Sequence, residues 1–126
     1  EQLLPPLLLY RQAYSSDFHK KKLKHWKEIL LAHIDTYFGK KPIPLVPVMQ
    51  ENLYANRFIS DDGAEIIYSV YNAGDESISG ELVEADQGYV LRGELWSGKE
   101  MENKDGVIVG EILPGEVGII CLEKVK

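Results

Sequence analysis

The sequence has little of the material from which cross-linked or membrane-spanning proteins are built. It contains one cysteine, Cys121, which excludes an intrachain disulfide, and the apolar run around it predicts a buried structural thiol. No apolar stretch reaches the roughly 20 residues that a membrane helix needs. The longest, LLPPLLLY at residues 3–10, is interrupted by Pro5 and Pro6 and lacks a basic leader. We therefore predict no membrane partner and no signal peptide, and the compartment stays open.

Motifs for catalysis and for metal binding are missing as well. His19, His25 and His33 share one predicted helix at spacings of six and eight, whereas two metal ligands on a helix face stand four residues apart. The sequence has no calcium-loop spacing of acidic residues, no glycine-rich phosphate loop and no nucleophile elbow. These absences lead us to predict no metal site, no cofactor and no catalytic residue in this chain.

Charge is divided unevenly between the two parts of the chain. Residues 1–50 hold eight Lys/Arg and four Asp/Glu, a net of +4, and residues 51–126 hold six and sixteen, a net of −10. The acidic part argues against a nucleic-acid partner. The basic residues concentrate in HKKKLKHWK, residues 19–27, for which a solvated helix face is favoured over a patch for nucleic acid or anionic membrane.

Apolar residues near the start of the chain recur at helical spacing. They define one stripe that Ile29 and Phe38 widen; its members are Leu23, Trp26, Leu30, Ile34 and Tyr37. This stripe predicts a helix over residues 17–38, which Gly39 caps and Pro42 prevents from continuing. An earlier helix is predicted from Pro5 and Pro6 to about residue 14.

From residue 56 the pattern changes to short β-rich runs separated by turn residues. Six strands are predicted, with SGKEM as a seventh short strand or bulged edge and ENKDG as a turn; the six are NRFIS, EIIYSVYN, ISGELVEA, YVLRGELW, VIVGEIL and VGIICLEKV. No helical crossover fits between them, which favours an antiparallel arrangement. The predicted class is α+β, with a helical segment followed by an antiparallel β-sandwich of six to seven strands.

Several strands contain aromatic residues, which raises the question of sugar binding. An exposed row of rings could stack on carbohydrate, but large rings also supply much of a small core, and packing is favoured. Tyr89 and Trp96 are the candidate carbohydrate-binding residues.

The proline-rich stretch KKPIPLVP, residues 40–47, permits two interpretations. Lys41, Pro44 and Pro47 match the spacing that polyproline-binding domains recognise. The same stretch carries apolar side chains that would be costly to leave in water. We therefore interpret it as a proline-stiffened domain junction rather than a free docking peptide.

Two short motifs in the last forty residues resemble a known module. ELWSGK at residues 94–99 and LPGE at residues 113–116, with the hairpin-like run from Asn56 to Leu82, resemble the C-terminal β-sandwich that follows the catalytic barrel in many glycoside hydrolases. The resemblance covers residues 53–126. It implies that HWKEILLAHIDTYFGKKPIPLVP is the last barrel helix and the linker leaving it. It carries over no catalytic residue.

This resemblance implies three parts: a helical lead-in at residues 1–39, a linker at 40–52 and a β-sandwich domain at 53–126. Because the chain begins with Glu1, we expect a processed or excised piece of a glycoside hydrolase-like protein. Its β-sandwich would stabilise a catalytic domain that the chain lacks, and the helical segment would then expose an apolar surface. The alternative is a non-catalytic module that binds carbohydrate or protein.

Overall fold

Apolar residues recur at helical spacing in the first part of the chain and in short β-rich runs after it, and the two patterns give helices and strands. The computed structural model describes residues 17–125. In that range it has two helices, α1 (Asp17–Ala32) and α2 (Ile34–Tyr37). It also has seven strands, which are β1 (Leu53–Ile59), β2 (Glu65–Asn72), β3 (Ile78–Glu84), β4 (Tyr89–Glu94), β5 (Glu102–Lys104), β6 (Val107–Ile112) and β7 (Val117–Lys124). Within that range, no helix combines the length and the apolar character that crossing a bilayer requires. The helix predicted from Pro5 lies outside the described residues.

The strands form two antiparallel sheets. Sheet A has the order β1-β2-β7-β4, and sheet B has the order β3-β6-β5. Every neighbouring pair runs antiparallel, and the chain passes from one sheet to the other after β2, β3, β4 and β6. The predicted α+β class with antiparallel strands is confirmed.

The largest difference from the predicted strands concerns the short one. The sequence predicts a short strand at SGKEM and a turn at ENKDG, whereas β5 consists of ENK. Asp105 and Gly106 both have positive φ, 53° and 90°, and they form the two-residue loop of a tight hairpin between β5 and β6. Because all three β5 side chains are exposed, no apolar alternation marked this strand.

The predicted single helix is interrupted at His33. This residue leaves helical geometry, with φ −124° and ψ 34°, and its carbonyl accepts from the backbone N–H of Thr36 and of Tyr37. The interruption changes the direction of the last turn. As a result, Thr36 and Tyr37 are buried, whereas Ile34, which a continuous helix would place in the apolar stripe, is exposed.

Strands β2 and β7 bury side chains on both faces of sheet A. On one face Ile66, Val70 and Ile120 belong to a cluster that also contains Leu82 and other residues of sheet B. Burying each such aliphatic side chain stabilises the fold by about 1.5–3 kcal/mol. The first core therefore joins the two sheets.

The other face of sheet A is covered by the helical segment. Trp26 and Ile29 of α1 and Tyr37 of α2 pack with Ile67 and other residues of β1 and β7. The Tyr37 ring meets the Trp26 ring edge-on at a centroid distance of 5.0 Å. Such aromatic pairs add about 0.5–1.5 kcal/mol beyond their burial. The helices are therefore held on sheet A by a second core.

Gly39, predicted to cap the helix, is required for a different reason. A side-chain Cβ at this position would lie 2.0 Å from the carbonyl oxygen of Ile59, at the end of β1. Such a distance is a steric overlap with backbone. A glycine thus allows the end of the helical segment to pass directly over β1.

The proline-rich stretch runs beside β1. Ile43 and Arg57 exchange both backbone hydrogen bonds at 2.8 Å, and the Val46 N–H donates to the carbonyl of Ala55. Leu45 has φ 53°, which interrupts the continuous left-handed helix that polyproline-binding domains recognise. In this structure the stretch covers part of the edge of sheet A.

A charged network connects sheet A to the segment that returns from sheet B. The Arg57 guanidinium donates to Asp86 at 2.8 Å, and the Tyr68 hydroxyl also donates to Asp86. Desolvation acts to raise the pKa of Asp86, but the hydrogen bonds from Arg57 and Tyr68 outweigh it and hold that pKa below its usual value. The ionised carboxylate is therefore the form that the fold favours.

We expect Asp86→Asn to lower the free energy of unfolding by about 1–3 kcal/mol at pH 7, because charge-assisted hydrogen bonds are lost. The pKa of Asp86 is lower in the folded than in the unfolded state, so its stabilisation is present above the ordinary carboxyl pKa and disappears as the pH falls through the folded value. The difference between wild type and variant should shrink below about pH 4. Urea denaturation of both proteins across pH measures this difference in stability.

Asp75→Asn, in an exposed turn, is the control. An equal difference at pH 3 and pH 7 would contradict this role for the charge.

Candidate functional site

The two candidate carbohydrate-binding residues are not brought together. Tyr89, at the start of β4, is half-buried against the cluster that contains residues of both sheets, and its hydroxyl donates to the carbonyl of Gly63. Trp96 follows the end of β4 and packs against the other core, the one beneath the helices. The two rings thus belong to opposite faces of sheet A and do not form one platform.

Trp96 makes specific contacts with α1. The His25 Nε2–H donates to the Trp96 carbonyl at 2.7 Å, and the two rings lie 4.7 Å apart between centroids. A ring engaged in this way has part of its surface covered by protein. In this conformation Trp96 connects the turn after β4 to the helix.

Glu94 organises the turn that contains the ELWSGK motif. Its side chain is buried and accepts hydrogen bonds from the backbone N–H groups of Trp96 (2.6 Å), Ser97 (2.8 Å) and Ile119 (2.9 Å), and from the Ser97 hydroxyl (2.6 Å). A carboxylate with this many donors compensates for its lost hydration. The motif that carried the family resemblance therefore has a structural role here: it anchors the turn to β7.

Another group of polar residues, which spacing in the sequence did not reveal, converges beneath the helix interruption. We call His33, Thr36, Glu65 and Cys121 the carboxylate cluster. The His33 Nδ1–H donates to both Glu65 oxygens at 3.0 Å, the Thr36 hydroxyl donates to one of them, and the Cys121 thiol donates to the other at 3.4 Å. His33, Thr36 and Glu65 line an open cleft of about 450 Å³, which Ser60 also lines.

The pKa values in the carboxylate cluster follow from these contacts. Desolvation acts to raise the pKa of Glu65, but the hydrogen bonds from Thr36 and His33 together hold it below its ordinary value. Burial, with the nearby charge of Glu65, raises the pKa of Cys121 to about 12. Because the thiolate is the nucleophilic form, Cys121 is not an activated nucleophile in this state.

The outward side of the helical segment is apolar at three positions. Leu31 is 67% exposed, Ile34 is 40% exposed and Phe38 is 69% exposed. They follow one another at spacings of three and four, and we call them the exposed apolar face. Extended apolar patches on a surface mark contact sites with other proteins or domains, and three large side chains exposed within eight residues make this segment the candidate for one.

Comparison with known proteins identifies no relative. No protein-family model matches the sequence, and no curated protein or solved structure matches it significantly. The resemblance to glycoside hydrolase accessory domains, and the assignment of Tyr89 and Trp96 to sugar binding, therefore stay predictions.

We expect Glu94→Gln to destabilise the protein by roughly 2–4 kcal/mol, because the new amide presents a donor to backbone N–H groups that need an acceptor. Thermal and urea denaturation of both proteins measure the effect. Glu111→Gln removes an equal charge from an exposed position of β6 and serves as the control. If both variants lose the same stability, the destabilisation of Glu94→Gln does not come from the buried hydrogen bonds of Glu94.

Proposed function

We propose that this chain is a non-catalytic accessory part of a glycoside hydrolase-like protein, and that its exposed apolar face packs against a catalytic domain outside the chain. The observation that carries the proposal is the exposure of Leu31 and Phe38 on a helical segment whose other side is already packed on sheet A. A surface of this kind is stabilised when a second apolar surface removes it from water.

In this proposal the two sheets stack as a β-sandwich. The cluster that includes Ile66, Leu82 and Ile120 supports this arrangement, since it takes side chains from both sheets. The sandwich would hold the helical segment rigidly through the core around Trp26. Rigid presentation lowers the cost of ordering a contact surface when two domains associate.

Exposed lysines lie close to the exposed apolar face. The lysines of α1 that lie away from sheet A are exposed, and they are Lys20, Lys21, Lys24 and Lys27. Lys27 is four residues before Leu31 and therefore lies beside it on α1. A partner domain would contact the apolar side chains with these lysines at the margin of the interface.

The proposal is tested by expressing the complete open reading frame to which this chain belongs beside the 126-residue chain. We expect the longer protein to hydrolyse glycosides, and we expect residues 28–39 to exchange amide hydrogens more slowly in it than in the chain alone. The turn around Leu113, which is also exposed, is the internal control. A reading frame with no further domain, or equal exchange of residues 28–39 in both proteins, would refute the proposal.

The double variant Leu31→Ser, Phe38→Ser separates docking from folding. In the 126-residue chain it should change the free energy of unfolding by about 0.5 kcal/mol or less, because both side chains are exposed. In the longer protein it should lower the melting temperature of the catalytic domain. The matched control is Leu45→Ser, Val125→Ser, which removes exposed apolar side chains elsewhere. Equal effects of the two double variants in the longer protein would speak against docking through this face.

A further inference from the structure

Three side chains of the carboxylate cluster are of the types that bind transition metals, and they come from three separate parts of the fold. His33 stands at the helix interruption, Glu65 begins β2, and Cys121 lies in β7 opposite Ile67. One ligand atom from each side chain lies within 4.8 Å of the others. We propose that His33, Glu65 and Cys121 bind a divalent transition metal that accepts thiolate, with Zn²⁺ as the best fit.

The distances fit a tetrahedral ion with small adjustments. Zinc binds imidazole nitrogen at about 2.0–2.1 Å, carboxylate oxygen at about 2.0–2.2 Å and thiolate sulfur at about 2.3 Å, which places neighbouring ligand atoms roughly 3.3–3.8 Å apart. Here the His33 nitrogen is 3.0 Å and the Cys121 sulfur 3.4 Å from a Glu65 oxygen. An ion between the three atoms requires these two pairs to separate slightly, and it requires the His33 nitrogen and the Cys121 sulfur, which lie within 4.8 Å, to stand at a similar separation.

The surroundings of the three residues resemble those of open metal sites. The Thr36 hydroxyl donates to Glu65 and fixes the direction of the carboxylate, as outer-shell partners of metal ligands do. His33 and Glu65 line the open cleft, whereas Cys121 is buried behind them. Three protein ligands on one side and solvent on the other leave the fourth position to water.

The ligand set also favours one class of ion. A thiolate and an imidazole select zinc and its neighbours over magnesium and calcium, which prefer oxygen ligands. The two negative charges of the Glu65 carboxylate and the Cys121 thiolate balance a divalent cation. On binding, the thiol transfers its proton to water, and the neutral His33 ring carries its hydrogen on Nε2 so that Nδ1 can coordinate.

Histidine spacing along one helix predicts no metal site. The proposed ligands differ from that prediction because they come from separate elements. Glu65 is 32 residues from His33 and 56 residues from Cys121. The inference does not rest on the proposed docking function, since it involves a different set of side chains.

Cobalt titration of the 126-residue chain tests the inference, because Co²⁺ replaces Zn²⁺ and absorbs light whereas Zn²⁺ does not. The chain is freed of affinity tags and treated with a chelator before Co²⁺ is added. We expect one equivalent to bind, with visible bands of tetrahedral cobalt and a near-ultraviolet thiolate-to-cobalt band, and we expect Zn²⁺ to displace it. No binding by the folded chain would overturn the proposal and leave the cluster as a hydrogen-bonded link between helix and sheet.

Variants assign the ligands. Cys121→Ser should abolish the thiolate band, and His33→Gln and Glu65→Gln should each weaken binding by about 100-fold or more, since outer-shell changes alone cost about 10–100-fold. Thr36→Val should weaken metal binding by about 10–100-fold, the range for outer-shell changes. His25→Gln, which alters a half-buried histidine within α1, and Asp62→Asn, which alters another residue that lines the cleft, are the controls and should bind as wild type does. Retention of the thiolate band in Cys121→Ser would overturn the assignment.

A measurement on the wild-type chain covers the case in which a ligand variant does not fold. X-ray absorption of the zinc-loaded protein should show one sulfur at about 2.3 Å together with nitrogen and oxygen at about 2.0–2.2 Å. A first shell of nitrogen and oxygen alone would exclude Cys121 and refute the site.

Discussion

The rest of the structure depends on a pair of strands that are apolar on both faces. β2 and β7 each place alternate side chains into two different cores, so neither face of the pair can be left in water. On one face the cover includes β3 and β6, and on the other it is the helical segment. Because β2 and β7 are paired along their length, loss of either cover would expose several buried aliphatic side chains, at about 1.5–3 kcal/mol each.

One buried and two half-buried carboxylates stand where the chain changes from one element to another. Glu94 accepts hydrogen bonds in the turn that leaves sheet A, and Asp86 accepts one from Arg57 in the segment that returns to it. Glu65 accepts a hydrogen bond from Thr36 at the end of the helical segment. Each accepts several hydrogen bonds, which offset the cost of removing a carboxylate from water. These contacts determine where the connecting segments lie, whereas the two apolar cores supply most of the stability.

The interruption at His33 connects the two proposals. It directs Tyr37 and Thr36 toward sheet A. Tyr37 therefore packs against Trp26 in the core beneath the helices, and the Thr36 hydroxyl donates to Glu65. It leaves Ile34 and Phe38 on the outside of the same short segment. One local departure from helical geometry therefore leaves apolar side chains exposed and brings His33 and Thr36 to Glu65.

The sequence by itself determined the elements that local patterns mark: six strands from apolar runs and turn residues, and the helix from Asp17 as far as Ala32. Residue pattern could not predict β5, whose exposed side chains have no alternation, or the interruption at His33, because the apolar period continues through it. The carboxylate cluster and the separation of Tyr89 from Trp96 were decided by tertiary structure alone. Both depend on which strands pair and which face each side chain meets, and those relations join residues far apart in the chain through burial and hydrogen bonding rather than through local spacing.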